Sequence, residues 1–519
     1  MKLLRKIFFG LVYMLPAVLF FSYYPLLSLG RNATMNFELS LPLIWLVIFD
    51  IVSFVVLIKQ GTKPLRGLSD RRFFLLALFP LYCVLSIFWS TNPLRAILTA
   101  GIIVLLFFAI FAIVSLLPLL QPSVHFRRNI LRAIFIPTLI ISAFCWLQCL
   151  LDVFGVTRSV TLLCRGCTSW TFGFPHPSGF AIEPQFMGNL LLAPTLLALY
   201  LLIFPQHQPK KSQKPQNAQT TSASKGATTK AQTRWLLLIS FFLSATLFLT
   251  MSRGAIYAYA VALCVMIIFA LVRHHFRPLL ILIPCISFIV TLLAQGTFAA
   301  ISPTSDTFVS GVTKVVHQLS LGIIDFRPQA TDVGLSEDGE VSGGLANSAE
   351  NLADGASGDA TASTPDNSSS FDGYVPASTN VRLGLNDLAI RTWASRPNYI
   401  FFGSGLGGAG LALSATFADN YLAQPDAIVQ NEFCSLLLEL GLAGLLLAAL
   451  GLLVAFGNPK FLRSRRQVDA MPSFWRHPAL PLLVALIVAY LVTLNFFSGL
   501  PNALHIYLLP PLLYIALQK

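Results

Sequence analysis

The stretch RLGLNDLAIRTWASRPNYIFFGSGLGGAG (382–410), followed after a polar run by IVQNEFCSLLLELGLAGL (428–445), is where a long polar loop hands over to an apolar helix. Arg391 and Trp393 fall in an amphipathic helix that Pro397 ends, and Gly403–Gly408 reads as a flexible turn through which backbone can approach closely. Gln430, Asn431 and Glu432 then stand at the mouth of a helix running from about Phe433. Polar groups in a solvated loop cost nothing, but at the rim of a membrane helix they cost enough to mark a site. The remaining chain reads as a frame for that rim.

Working outward, composition sets the class. A mean hydropathy of +0.72, 55% hydrophobic residues and 11% charged residues describe a polytopic membrane protein of all-α class. Apolar runs at about 7–29, 41–58, 73–89, 96–120, 133–154, 186–205, 235–250, 255–272, 279–298, 432–456, 479–499 and 502–517 predict about twelve transmembrane helices. The first is too long for a signal-peptide core and is expected to be retained. With the N-terminus inside, 25 of the 35 lysines and arginines fall in cytoplasmic segments, so both ends are expected in the cytoplasm. The net charge of +13 belongs to this orientation bias and implies membrane lipid rather than nucleic acid as its partner.

The organisation expected is a bundle of nine helices over 1–298, one large outer loop over 299–430, and three helices over 431–519. Gln206–Arg234 is a basic, Ser/Thr/Gln-rich cytoplasmic linker with no acidic residue, expected to be disordered. The middle of the outer loop, about 328–380, holds nine acidic residues and no Lys or Arg, and is likewise expected to be disordered. Cys164 and Cys167 form a CxxC in the outer loop 155–185 and suggest a local disulfide; the other cysteines lie in or beside spans. The chain has no phosphate-loop signature, no HExxH and no paired-aspartate cluster, so neither ATP hydrolysis nor a metal site is indicated.

Polar residues converge on the outer face. Arg253, in the break Met251–Gly254 between two apolar runs, lies at the rim, either as a site residue or as a snorkelling anchor. The loop before the sixth span supplies Arg158, Arg165, His176 and Glu183, the last two readable as a hydrogen-bonded pair or as functional groups. His505 opens the last span. Asp50 and Asp152, inside or ending spans, are expected to make interhelical hydrogen bonds.

The order of these motifs resembles the O-antigen ligase and O-antigen polymerase superfamily of bacterial membrane glycosyltransferases. The likeness is carried by Ser252-Arg253-Gly254, by Arg391, Trp393, Pro397 and Gly403–Gly408, by Asn431-Glu432 and Glu439–Gly444, and by Phe172–Gly188. It implies a glycosyltransferase-C-like helical fold in the bacterial cytoplasmic membrane. It also implies a polyprenyl-diphosphate-linked oligosaccharide donor, a saccharide, lipid or protein acceptor, and inverting transfer without a metal. Arg253 and Arg391 are implied as diphosphate ligands, with Arg165 a weaker third. Ligases of the family place a histidine where this chain has Gln430, and an amide cannot take a proton as imidazole does. The departure fits the polymerase branch, or a relative with another acceptor, better than transfer to a lipid core. The acceptor base stays open among Glu432, Glu183, His176 and His505, and Gln430 and Asn431 count as binding residues.

The reading from another class is a transporter or flippase moving a lipid-linked saccharide without bond chemistry. It would place charges at mid-membrane in matching halves, whereas here the charges gather on one face. A scaffold in envelope assembly would leave the rim arginines without a task. The orientation itself is testable with cysteines introduced for Ser342 and Ser222. In intact cells an impermeant thiol reagent is expected to label the first and spare the second; the reverse pattern would overturn the orientation.

Overall fold

The computed structural model describes residues 2–32, 35–61, 71–120, 125–156, 174–181, 183–204, 222–274, 276–302, 307–320, 370–456, 478–496 and 503–517. In chain order the elements are α1 (Lys2–Leu19), the strands β1 (Pro25–Asn32) and β2 (Met35–Ser40), α2 (Leu41–Gln60), α3 (Arg71–Leu85), α4 (Pro93–Leu119), α5 (Phe126–Val153) and α6 (Pro184–Ile203). There follow α7 (Ser222–Leu249), α8 (Arg253–Val272), α9 (Leu279–Ile301), α10 (Phe308–Leu319), α11 (Ser370–Ala394), α12 (Pro397–Phe402), α13 (Ala409–Thr416), α14 (Glu432–Phe456), α15 (Leu480–Thr493) and α16 (Leu504–Ala516). A 3-10 turn, Ser86–Trp89, joins α3 to α4.

Among the described residues seven helices, α2, α4, α5, α6, α8, α9 and α14, are long and apolar enough to cross a membrane; four further apolar helices are shorter. Their outer faces carry unscreened apolar stripes, such as Ile48, Ile51, Phe54 and Ile58 on α2 and Ile281, Leu282, Ile286 and Ile289 on α9. Such stripes would be untenable in water and are ordinary against hydrocarbon. The chain is a helical membrane protein. α6 is buried on nearly every side and packs against α7, α8 and α15, forming the centre of the main core with α1, α2, α5 and α16 around it. A second, smaller assembly joins α3, α4 and α14 with the segment α11–α13.

Helix starts follow from local chemistry. Asn92, Ser252 and Thr307 accept backbone N–H groups from Arg95 (3.3 Å), Ala255 (3.4 Å) and Ser310 (3.1 Å), capping α4, α8 and α10. Pro93, Pro184 and Pro397 occupy first-turn positions, where the missing N–H is no loss.

Several expectations are revised. The predicted span 7–29 ends as a helix at Leu19. Ser22 donates to the Leu19 carbonyl at 2.6 Å, tight turns follow, and Pro25 opens an antiparallel hairpin with β2, an exception to the all-α class. The apolar run 25–29 is strand, because an apolar stretch does not itself distinguish the two. α7 begins at Ser222, so 222–234 is helical rather than linker; 205–221 lie outside the described residues. α11 begins at Ser370, within the segment expected to be disordered; 321–369 lie outside the described residues. Asp50 is buried in α2, and both its oxygens lack a hydrogen-bond partner among the described residues, in place of the expected interhelical bond.

The largest revision concerns α14, expected as one continuous helix. It breaks at Gly441, whose φ of 63° and ψ of −168° are not helical. The carbonyls around the break find donors elsewhere. Ser404 N–H bonds Leu438 (2.8 Å), Gly405 N–H bonds Glu439 (2.9 Å), and the Tyr82 hydroxyl bonds Leu440 (2.9 Å). Gly403–Gly408 is therefore not a loose turn but a buried wedge set into the broken helix. It is held from its other side by Thr91 N–H to Ser404 (3.0 Å), Ser90 Oγ to Leu406 (3.0 Å) and Thr91 Oγ1 to Gly408 (3.0 Å). Glycine is required on both sides. A Cβ on Gly403 would lie 2.3 Å from Glu439 C, and one on Gly405 would lie 2.2 Å from Ser90 Cα, both at positive φ.

Gly405→Ala is expected to destabilise by about 2–4 kcal/mol through strained φ and overpacking, read as a lowered melting temperature in detergent. Gly451→Ala, in the same helix as the break and with open space around it, is expected to be neutral or stabilising.

Candidate functional site

Arg253 opens α8 directly after a turn that the sequence alone would not make rigid. Met251 takes a left-handed φ of 50°, rare without glycine. Buried amides hold the turn in place: Gln295 Nε2 donates to Leu249 (3.5 Å) and Pro175 (3.0 Å), and Gln318 Nε2 donates to Met251 (3.5 Å). The Tyr257 hydroxyl bonds the Leu319 carbonyl, tying α8 to α10. Close helix crossing at Gly188, where a Cβ would lie 2.7 Å from that of Ala255, fixes α8 against α6. From this base the Arg253 guanidinium reaches Thr379 Oγ1 on α11 at 3.5 Å.

α11 brings a second arginine to the same rim. Arg382, one turn beyond Thr379, donates to Gln185 Oε1 at 3.3 Å, within electrostatic reach of the Glu183 carboxylate. Glu183 keeps accessible surface, yet protein atoms crowd it. Burial pushes its carboxyl above the ordinary range, and Arg382 pulls it back down. Arg391 stands apart. It lies twelve residues from Thr379, about 18 Å along the helix at 1.5 Å per residue, with its side chain 66% exposed and its Nε 2.9 Å from Asp387. Trp393, on the same helix, donates to the Ile400 carbonyl at 3.2 Å and secures the turn into α12.

The segment ahead of α6 is clamped by a second buried glutamine besides Gln295. Gln148 Nε2 donates to the Gly179 carbonyl (3.2 Å), and its Oε1 accepts the Gly179 N–H (2.8 Å). His176 is buried in this loop and stacked on Phe174 at 4.6 Å; burial pushes its imidazole down to about 3, so it stays neutral. Arg158, Arg165, Cys164 and Cys167 lie outside the described residues.

At the mouth of α14 the three polar residues have separate tasks. Asn431 is the helix cap, its Oδ1 accepting from Phe433 (3.0 Å) and Cys434 (3.2 Å) N–H. Gln430 has a buried carbonyl oxygen with no partner among the described residues. Glu432 is buried at 3% exposure, and its N–H bonds the Leu494 carbonyl at 2.8 Å. His505 is fully buried near the start of α16, edge-on to Tyr23 and Tyr490.

Two groups escape a reading of the sequence. Arg382 follows Thr379 by three residues, and the mixed polarity of α11 gives no periodicity to show which face reaches the rim. Glu439, embedded in an apolar run, receives the backbone N–H groups of Gly407 and Ala409 with Arg95 alongside. Its signal is a carboxylate at membrane depth, which needs partners. Together the rim offers a forked cation from α8, another from α11 and a carboxylate between α6 and α11. That set can hold an anionic group at the end of the bundle and move a proton beside it. Compared with known proteins, the chain matches no family model and no curated protein sequence.

Proposed function

We propose that the chain is a glycosyltransferase of the outer face of the bacterial cytoplasmic membrane, crossing it twelve times with both ends inside. In this reading it transfers or polymerises an oligosaccharide carried on a polyprenyl diphosphate, inverting the anomeric centre without a metal. The acceptor is a saccharide, lipid or protein hydroxyl.

The observation that carries the reading is that Arg253, from the bundle, and Arg382, from the outer segment, both attach to one short stretch around α11 and the start of α6. A prenyl diphosphate keeps its tail in lipid, so its phosphates stay at the bilayer surface, where these cations stand. Guanidinium forks bind phosphate oxygens in pairs and offset the charge that grows as the glycosidic bond breaks. Arg253 and Arg382 are assigned to the diphosphate. Arg391, exposed and paired with Asp387, serves the approach.

The broken helix α14 gives the transport reading its one foothold, since discontinuous helices often line translocation sites. Against it, the carbonyls at this break are bonded by the protein's own donors. Release of prenyl diphosphate from a prenyl-diphosphate oligosaccharide by purified protein separates the two readings, because a flippase leaves the bond intact.

Lysine keeps the charge but loses the fork. Arg253→Lys and Arg382→Lys are expected to insert normally and lose about 30- to 1000-fold in turnover, corresponding to about 2–4 kcal/mol in the transition state. Arg391→Lys is expected to lose less. Near-normal turnover of Arg253→Lys and Arg382→Lys at matched membrane abundance would remove the diphosphate site and leave both as anchors.

A further inference from the structure

Exposed apolar side chains run in register along α3 and the turn that ends it. Phe74, Leu81, Leu85 and Phe88 fall on one helical face, and Leu94 and Ile97 begin a similar stripe on α4. α4 is long and apolar enough to cross a membrane, so the turn ahead of it stands at one end of the apolar layer. α12 ends against this turn. Its last two residues, Phe401 and Phe402, are 58% and 51% exposed, and Phe88 is 86% exposed. The Phe402 ring meets Trp89 at 6.2 Å and 67°, and Trp89 lies 5.7 Å from Tyr82, so α12 joins the apolar stripes of α3 and α4. The other end of α12 has the opposite character. Ser395, Arg396 and Asn398 are exposed there, and the Arg396 guanidinium lies over the Tyr399 ring at 5.3 Å.

The carbonyls at the end of α12 show what surrounds it. A helix leaves its last four carbonyls without partners inside the helix. Water serves them at an aqueous surface, whereas in hydrocarbon the protein must supply every donor. Here Tyr399 accepts the Gly403 N–H at 3.0 Å, and Ile400 accepts the Trp393 indole N–H at 3.2 Å. Phe402 accepts twice, from the Trp89 indole N–H at 3.2 Å and the Tyr82 hydroxyl at 3.3 Å. Indoles and phenols at a bilayer surface ordinarily direct these groups to the headgroups. On α12 they are turned inward onto main-chain carbonyls beside exposed phenyl rings. A helix end sealed in this way, with its apolar side chains left uncovered, is built for a place without water.

We propose that α12 dips into the bilayer, with Phe401 and Phe402 among phospholipid acyl chains and Arg396 and Asn398 at the level of the headgroups. Six residues at 1.5 Å each span about 9 Å, enough to pass from the headgroup region into the chains. Phospholipid is the occupant because the exposed rings continue the lipid-facing stripes of two neighbouring helices. The segment α11–α13 is thereby seated on the membrane as well as on the bundle. Ala394, the last residue of α11, is three residues from Pro397, so the depth of α12 also bears on the height of α11. This inference rests on the membrane character of the chain and is independent of glycosyl transfer.

The test uses the full chain in nanodiscs of phosphatidylethanolamine and phosphatidylglycerol, with the photoreactive residue p-benzoylphenylalanine placed at one position at a time. Phe54, on the exposed stripe of α2, is the lipid-facing reference, and Asp419, exposed between α13 and α14, is the aqueous one. After irradiation, mass spectrometry is expected to find phospholipid adducts at Phe54, Phe401 and Phe402 and none at Asp419. Adducts at Phe54 with none at Phe401 or Phe402 would overturn the proposal. So would a cross-link from Phe401 or Phe402 to a second copy of the chain in place of lipid, which would make the patch an interface between copies. A second measurement needs no unnatural residue. In nanodiscs of acyl-chain-brominated phosphatidylcholine, the fluorescence of Trp89, taken as wild type minus Trp89→Phe, is expected to lose half its intensity or more. Undiminished Trp89 fluorescence would place this turn and the end of α12 away from the acyl chains and overturn the proposal.

Discussion

A peptide carbonyl surrounded by hydrocarbon must find a donor, and the break in α14 depends on three of them. Two come from the backbone of Ser404 and Gly405, and one from the Tyr82 hydroxyl. Much of the segment α11–α13 is placed by this requirement. The wedge that supplies the donors ties α12 to α14, and through Ser90 and Thr91 it also ties them to the turn between α3 and α4. Glu439 adds a carboxylate to the same joint, gripping the start of α13 by its N–H groups. α11, which carries Arg382 and Thr379, is packed on this joint and so inherits its position.

The opposite side of the rim is governed by the same rule with different donors. Glutamine side chains replace backbone there. Gln148 closes the loop before α6, Gln295 bridges that loop to the end of α7, and Gln318 steadies Met251. An amide that would matter little in water becomes a strong organiser where water is excluded. Arg253 is therefore held at the rim by groups that never touch it, and it reaches α11 one turn from Arg382 because each half of the rim has its own lock.

Hydropathy is enough to read the seven helices that are long and apolar enough to cross a membrane, because a bilayer demands long apolar runs. It is not enough for the ends themselves. The run 25–29 is as apolar as a span, yet turns and Pro25 send it into a hairpin. Gly441 looks like an ordinary glycine in an apolar helix; its role depends on Gly403, far away in sequence, which no local pattern reports. At the rim, Arg253 is legible from its isolation between apolar runs. Arg382 is not, since only packing decides which phase of a mixed-polarity helix faces the bundle. Asn431 is legible as polar at a mouth, but its work as a cap needs coordinates.

The break in α14 has a consequence for biogenesis. Tyr82 is made 358 residues before Leu440, whereas Ser404 is made shortly before it. All three donors are therefore made before the Leu438–Leu440 carbonyls that need them. The bend can form as soon as the wedge docks between α14 and the turn that joins α3 to α4, and the segment α11–α13 serves its own helix as an internal chaperone.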